Sequence, residues 1–243
     1  MLLRRFLTHF RAQDWIAICL DFVIVVVGIF VGLQVDSWNQ DRKERIRERV
    51  SLEQLYSDFS LAQEQAQEMA EFHAGKDEDL GFVIDTMLSE TLAPDDRRRM
   101  IMSLLSMAQL PPLGVSLGTY DSMIASGDIA LIQDAELKSM LVRLEASLES
   151  ENNLLGYFRL MNQSEQGFSQ RHFRLVPNSD KSDVTFDFDF DRLLRDPEAF
   201  SVIASQQRNH RVFHGFRQDI ADSLAEARTH IGNLIGTQKT ATE

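Results

Sequence analysis

The histidines and the closely spaced acids are where this sequence could carry chemistry. His210 and His214 stand four residues apart, so on a helix both imidazoles reach one ion; a zinc site would also have to recruit a distant ligand such as His172. No acid follows the first histidine as it does in H-E-x-x-H, and two partly exposed histidines flanking a core stripe explain the spacing more simply. Asp187, Asp189 and Asp191 occupy positions 1, 3 and 5 of a calcium-loop pattern, with Glu198 at position 12. Arg192 replaces the glycine that the sharp turn needs, and Pro197 precedes the glutamate, so the favoured reading is an acidic surface strand leading into a helix cap. There is no G-x-S-x-G, no phosphate-cradling glycine loop and no candidate cysteine nucleophile. Ser126-Gly127 reads as a helix terminus. The sequence therefore assigns no catalytic residue, no cofactor-binding residue and no metal ligand, and predicts a protein that is not an enzyme.

What must position any such group is a chain arranged around Trp15–Trp38, WIAICLDFVIVVVGIFVGLQVDSW. Between Phe22 and Leu33 there is no polar side chain, and from Trp15 to Leu33 the only charge is Asp21. About 20 helical residues cross the roughly 30 Å hydrocarbon layer of a bilayer, so the stretch predicts one membrane-spanning helix. Trp15 and Trp38 suit the two water–lipid boundaries as interface anchors. An acid inside the apolar run, and no small-residue cleavage motif before Gln34, argue against a cleaved signal peptide. Asp21, Val25, Gly28, Gly32 and Val35 step by four, three, four and three, which puts them on one stripe. The two glycines let another backbone approach closely, and an acid within a span is a functional signal. The stripe is expected to pack against a second helix, from its own copy or from another membrane protein. The alternative places Asp21, roughly 9 Å along the axis from Trp15, solvated near the interface.

Composition narrows the partners. Of 243 residues, about 200 lie beyond the anchor region, enough for one sizeable domain. The formal charge is −12; residues 1–49 hold eight Lys/Arg against six Asp/Glu, so the remainder carries −14. Nucleic acid and anionic headgroups repel such a domain, and no nucleic-acid partner is expected. Cys19, the single cysteine, lies in the anchor, which leaves the rest of the chain without a disulfide or a cysteine-based zinc site. Two signals set topology against each other: Arg4, Arg5 and Arg11 before the span, and Arg42, Lys43, Arg45, Arg47 and Arg49 after it. The reading favours the N-terminus on the inner side of the membrane, with the domain outside the bacterial inner membrane, periplasmic rather than cytoplasmic.

The predicted fold class is all-α: one N-terminal transmembrane helix continuing into a long helix, then a bundle of about six more. The predicted divisions are a short tail over 1–14, the anchor over 15–38, a juxtamembrane helix over 39–74, the bundle over 75–236 and a frayed tail over 237–243. Leu52, Leu55, Phe59, Ala62, Ala66, Met69 and His73 keep a strict 3-4 spacing, which permits a coiled coil but favours a helix packing on its own domain. Gly75 and Gly81 predict a break, then a short helix to about Leu92. Pro94, Asp95 and Asp96 predict a helix start continuing over Arg97–Leu110, ended by Pro111-Pro112. Thr119 is expected to cap a helix over Tyr120–Ser126, and Gly127 to close it in the left-handed conformation. Asp134 should cap a long helix reaching about Phe173. The loop at 176–190 allows a short strand over Val184–Phe190, with Asp191 or Asp196 capping the next helix. The last long helix is expected over Ser205–Leu234, its buried side formed by Val212, Phe213, Phe216, Ile220, Leu224, Ala227 and Ile231.

Two motifs, GIFVGLQVDSWNQ at the end of the anchor and TYDSMIASGDIALIQDAELKSML, together resemble an uncharacterised family of bacterial single-pass membrane proteins, a domain-of-unknown-function family. The order of parts is similar too. The resemblance implies an all-helical domain holding Thr119, Tyr120, Ser126, Gly127 and Asp128, and it implies no enzyme activity and no cofactor. Packing and capping also account for those five residues. The leading expectation is a non-enzymatic accessory, scaffold or assembly subunit of a membrane complex. The alternative is a membrane-tethered sensor or ligand-binding domain, and a hydrolase or transferase of unrecognised type comes third.

Overall fold

A computed structural model of the chain describes residues 3–163, 166–177 and 184–240. Compactness divides it into Met1–Ser51 and Leu52–Glu243. Helix α1 runs from Leu3 to Leu88 and contributes to both units. In the first unit it is the only element, and one helix that is long and apolar enough to cross a membrane is what the described residues contain. Trp15 and Trp38 are exposed there, as are Phe22, Val25, Phe30, Leu33 and Val35. The side chains of Arg4, Arg5 and Arg11 lie outside the described residues.

The second unit is helical apart from one hairpin. After α1 come α2 (Arg97–Ser106), α3 (Gly118–Ser126), α4 (Ala135–Gln163), α5 (Gln166–His172), the strands β1 (Phe173–Pro177) and β2 (Val184–Phe188), then α6 (Phe190–Arg195) and α7 (Ala199–Thr240). The all-α class matches the reading of the sequence; the short helix expected to end near Leu92 is instead the end of α1, and the long helix expected to reach about Phe173 is described as α4 and α5. Strand β1 was not foreseen; it pairs antiparallel with β2, Phe173 opposite Phe188 and Arg174 opposite Asp187. Its pattern is not cleanly alternating, with Leu175 exposed, so the sequence of this strand carries little period-two signal. Residues 178–183, with Asn178 and the two Ser-Asp pairs of the expected loop, lie outside the described residues, as does the tail at 241–243.

Several boundaries move for local reasons. Helix α1 passes through Gly75 and Gly81 without the expected break. Each glycine costs a helix about 1 kcal/mol, but Ala70 and His73 before them, Leu80 between them and Val83 after them are all buried, and that packing outweighs the cost. Helix α2 ends at Ser106, short of Leu110, and α7 extends beyond both predicted ends. Thr119 does not cap α3: no side chain of that helix does, and the Thr119 N–H donates instead to Asp58 Oδ2 of α1 at 2.8 Å. Gly127 closes α3 in the left-handed conformation, φ 81°. Asp134 caps α4, accepting the Leu137 N–H at 2.7 Å. Asp189, not Asp191, caps α6 through the Arg192 N–H, while Asp196 accepts the Glu198 N–H ahead of α7. Only the carboxylate at α3 comes from a distant part of the chain; Asp189 stands directly before its helix.

Candidate functional site, a buried polar belt

Two apolar cores fill the second unit. The first takes Leu52 to Ala66 of α1, Leu137 to Leu144 of α4 and Ile220 to Ile231 of α7, with Tyr120 and Met123 of α3. The second takes Leu80, Val83 and Met87 of α1, Met100 and Leu104 of α2, Phe168 of α5, Phe188 of β2, Leu193 of α6, and Ala199 and Ile203 of α7. The stretch of each long helix that lies between its two core segments is polar yet buried. It supplies His73 from α1 and Gln206, Asn209, His210 and Arg217 from α7, none more than 3% exposed, while Glu151 of α4 is 1% exposed. Groups of this kind survive burial only when hydrogen-bonded or paired.

Their hydrogen bonds fix where the protons are. His210 Nε2 lies 2.8 Å from the Met107 carbonyl, which can only accept, so His210 carries its proton on Nε2. The two Nδ1 atoms of His73 and His210 are 2.7 Å apart, and neutral His210 has only a lone pair to offer there. His73 therefore donates from Nδ1, and its Nε2 is a bare acceptor, buried and without a partner among the described residues. The His73 ring also stacks on Phe213, with centroids 5.4 Å apart at 24°. Burial, then the positive charge of the nearby Arg217, lower His73 to about 3. Burial likewise holds His210 below its ordinary value, opposed by the bond to Met107. His73 is therefore neutral at physiological pH.

Arg217 and Glu151 form the charged half of the belt, with Arg217 Nη2 2.7 Å from Glu151 Oε1. The same Nη2 donates to the Pro111 carbonyl at 2.7 Å, and Arg159 of α4 donates to the Leu110 carbonyl at 2.9 Å. With His210 on Met107, three side chains thus take up carbonyls of the link that follows α2. Pro111 and Pro112 cannot donate to a helix ladder, and these side chains hold the link without one. This explains why α2 stops early. Gln206 Nε2 bridges to Asn162 Oδ1 at 2.9 Å.

The structure separates the residues that a zinc site would need. His210 is wholly buried rather than partly exposed, because it faces α1; His214 Nδ1 donates to the Ala70 carbonyl at 3.0 Å. His172 is engaged by Asp196 Oδ2 at 2.7 Å. Among the described residues no group of three or more His, Cys, Asp or Glu is placed to hold a metal. Asp187 faces Arg174 across the hairpin register, and Asp189 is occupied as a cap.

Tyr120 is buried, and its hydroxyl donates to Glu145 Oε2 at 2.8 Å. Burial and that bond push the phenol up to about 12. It borders a cleft of about 440 Å³ whose lining includes Leu117, Asp121, Leu148 and Asn152. Ser126 and Asp128 lie at the other end of α3, where the Asp128 N–H donates to Ser126 Oγ at 3.3 Å. The five motif residues therefore serve the two ends of one short helix and are not drawn into one cluster. Along the anchor, Asp21, Val25 and Val35 are exposed, and a Cβ at Gly28 or Gly32 would meet nothing within 4 Å.

Sequence reasoning missed Arg217, Glu151, Gln206 and Asn209. The signal for three of them is spacing: Gln206, His210, Phe213, Arg217, Ile220, Leu224, Ala227 and Ile231 step by four and three without a gap. Leu137, Leu141, Leu144, Leu148, Glu151 and Leu155 do the same. Following hydrophobicity instead of the period substitutes Val212, which is exposed, for its true neighbours on the stripe. No protein-family model, curated protein or solved structure matches this chain.

Proposed function

We propose that this chain is a membrane-anchored accessory, scaffold or assembly subunit of a bacterial inner-membrane complex, with its helical domain on the periplasmic side and no enzymatic step of its own. The observation that carries the reading is the stripe of Asp21, Val25, Gly28, Gly32 and Val35 on a helix long and apolar enough to cross a bilayer, with open space at both glycines. In lipid, close backbone approach and interhelical hydrogen bonds supply the association that the hydrophobic effect cannot. The motif resemblance to a family of single-pass membrane proteins supports the same reading.

The test is extraction from the native membrane in mild detergent, followed by intact-mass analysis and identification of the co-purifying chains. A fixed-stoichiometry complex with other membrane proteins is expected, and it should dissociate in Asp21→Asn combined with Gly28→Ile and Gly32→Ile. A wild-type monomer, or an assembly that the triple substitution leaves intact, overturns the proposal.

A second reading, a tethered sensor, draws on the fully buried imidazole pair, since burying such polar groups costs more than apolar packing at the same place and their bond joins two long helices. In that reading α1, which carries His73, would transmit the change.

A further inference from the structure

The His73–His210 contact is built for one proton on each ring, and a further proton either breaks it or places a charge in the core. A proton added to His210 Nδ1 would set two N–H groups against each other across 2.7 Å. A proton added to His73 Nε2 would place a charge where the ring is wholly buried and that nitrogen has no acceptor among the described residues. The surrounding groups do not neutralise either charge. On α1, Lys76 is a cation bonded to Ser106 Oγ, and Asp77 is engaged by Arg211 of α7 at 2.9 Å. On α7, Arg217 and His214 add positive or neutral groups, and Glu151, the acid offered by α4, is held by Arg217. The end of α2 offers the Met107 carbonyl, which His210 already uses.

We propose that the His73–His210 pair is an acid-sensitive latch, closed when both rings are neutral, whose protonation frees α7 from α1 and from the link after α2. This inference does not rest on the membrane role proposed above. The sign follows from linkage. An opened histidine titrates near its ordinary value of about 6.5, whereas the closed His73 is lowered to about 3. The latch is therefore fully closed above about pH 6.5 and weakens as pH falls toward about 3, the open-to-closed ratio rising about tenfold per pH unit through His73, with His210 acting in the same direction. From well above about pH 6.5 down to about pH 4.5, His73 alone contributes about 100-fold.

Hydrogen exchange of the chain in detergent micelles, corrected for intrinsic rates, reads this directly. On moving from about pH 7 to about pH 4.5, the amides of Met107 and Gln109 and of the helix turns around His73 and His210 should lose protection by about 100-fold or more. Amides of the first core, near Leu55 and Leu224, should lose far less. His73→Asn keeps an N–H donor for His210 but cannot titrate, and it should reduce the step by about 100-fold, against a carboxylate background common to both proteins. Nitrogen chemical shifts of the wild-type imidazoles at about pH 7 supply a readout that needs no variant, with His73 protonated on Nδ1 and His210 on Nε2. Unchanged protection in the wild type, an undiminished step in His73→Asn, or the opposite tautomers would each overturn the latch.

Discussion

Arg217 donates both Nε–H and Nη2–H to a single oxygen of Glu151, Oε1, at 3.0 and 2.7 Å, and neither side chain reaches solvent. Two charges withdrawn from water repay their desolvation only through each other and through further bonds. Here the Pro111 carbonyl and the Phe213 ring, 5.4 Å from Arg217 Cζ, are the further partners. Removing one charge strands the other. Arg217→Met or Glu151→Leu alone should therefore cost about 3–5 kcal/mol, whereas the double substitution should cost less than either. Urea unfolding of the four proteins measures the cycle, and additive losses would contradict the pairing.

Asp58 and Thr119 reverse the roles that the sequence suggests. Asp58 accepts the Thr119 N–H at 2.8 Å, so the cap of α3 is delivered from α1, 61 positions away. Asp58→Ala should destabilise by about 1 kcal/mol, as loss of a capping side chain does. Thr119→Ala, which removes no capping atom, should stay within about 0.5 kcal/mol of wild type. Thermal unfolding distinguishes the two, and a larger loss at Thr119 would restore it as the cap.

Asp134 ties the start of α4 to α7, accepting the Leu137 N–H at 2.7 Å and facing His230 Nε2 at 2.9 Å. The Leu137 N–H first, and then His230, hold its carboxyl below the usual carboxylate range. A carboxylate lowered on folding contributes stability that is present above its unfolded value of about 3.9 and is lost as pH falls through the folded value. Asp134→Ala should cost about 1 kcal/mol near neutrality, with the difference from wild type shrinking as pH falls below about 3.9. A cost that stays constant down to low pH would mean that the carboxylate charge does nothing there.

How far the sequence shows this arrangement depends on whether periodicity or residue type is followed. The 3-4 stripe from Leu52 to His73 is buried on its own unit, as the blander of its two readings required. His73 is legible as a member of that stripe, since nothing but spacing is needed to place it inside. Arg217 and Glu151 obey the same spacing, yet a charged residue on a core stripe is ordinarily discounted, because an unpaired buried charge is costly. Only the fold shows that the two discounted positions meet. The Asp58 cap is illegible for a related reason, since no local pattern reports a partner that far away. Hairpin β1–β2 stays hidden because strand β1 is only five residues long and follows a helix directly.

Gly127 and Gly156 should respond oppositely to alanine. Gly127 terminates α3 with φ 81°, and a Cβ there would meet nothing within 4 Å, so the whole cost is the left-handed backbone. Gly127→Ala should lose about 1–2 kcal/mol. Gly156 lies inside α4, again with open space where a Cβ would stand. There alanine removes backbone freedom from the unfolded chain and adds no clash, so Gly156→Ala should gain about 0.5–1 kcal/mol. Paired denaturant melts measure both. Equal losses at the two positions would show that α4 needs its glycine for close approach by something other than this chain, since nothing within the described residues crowds it.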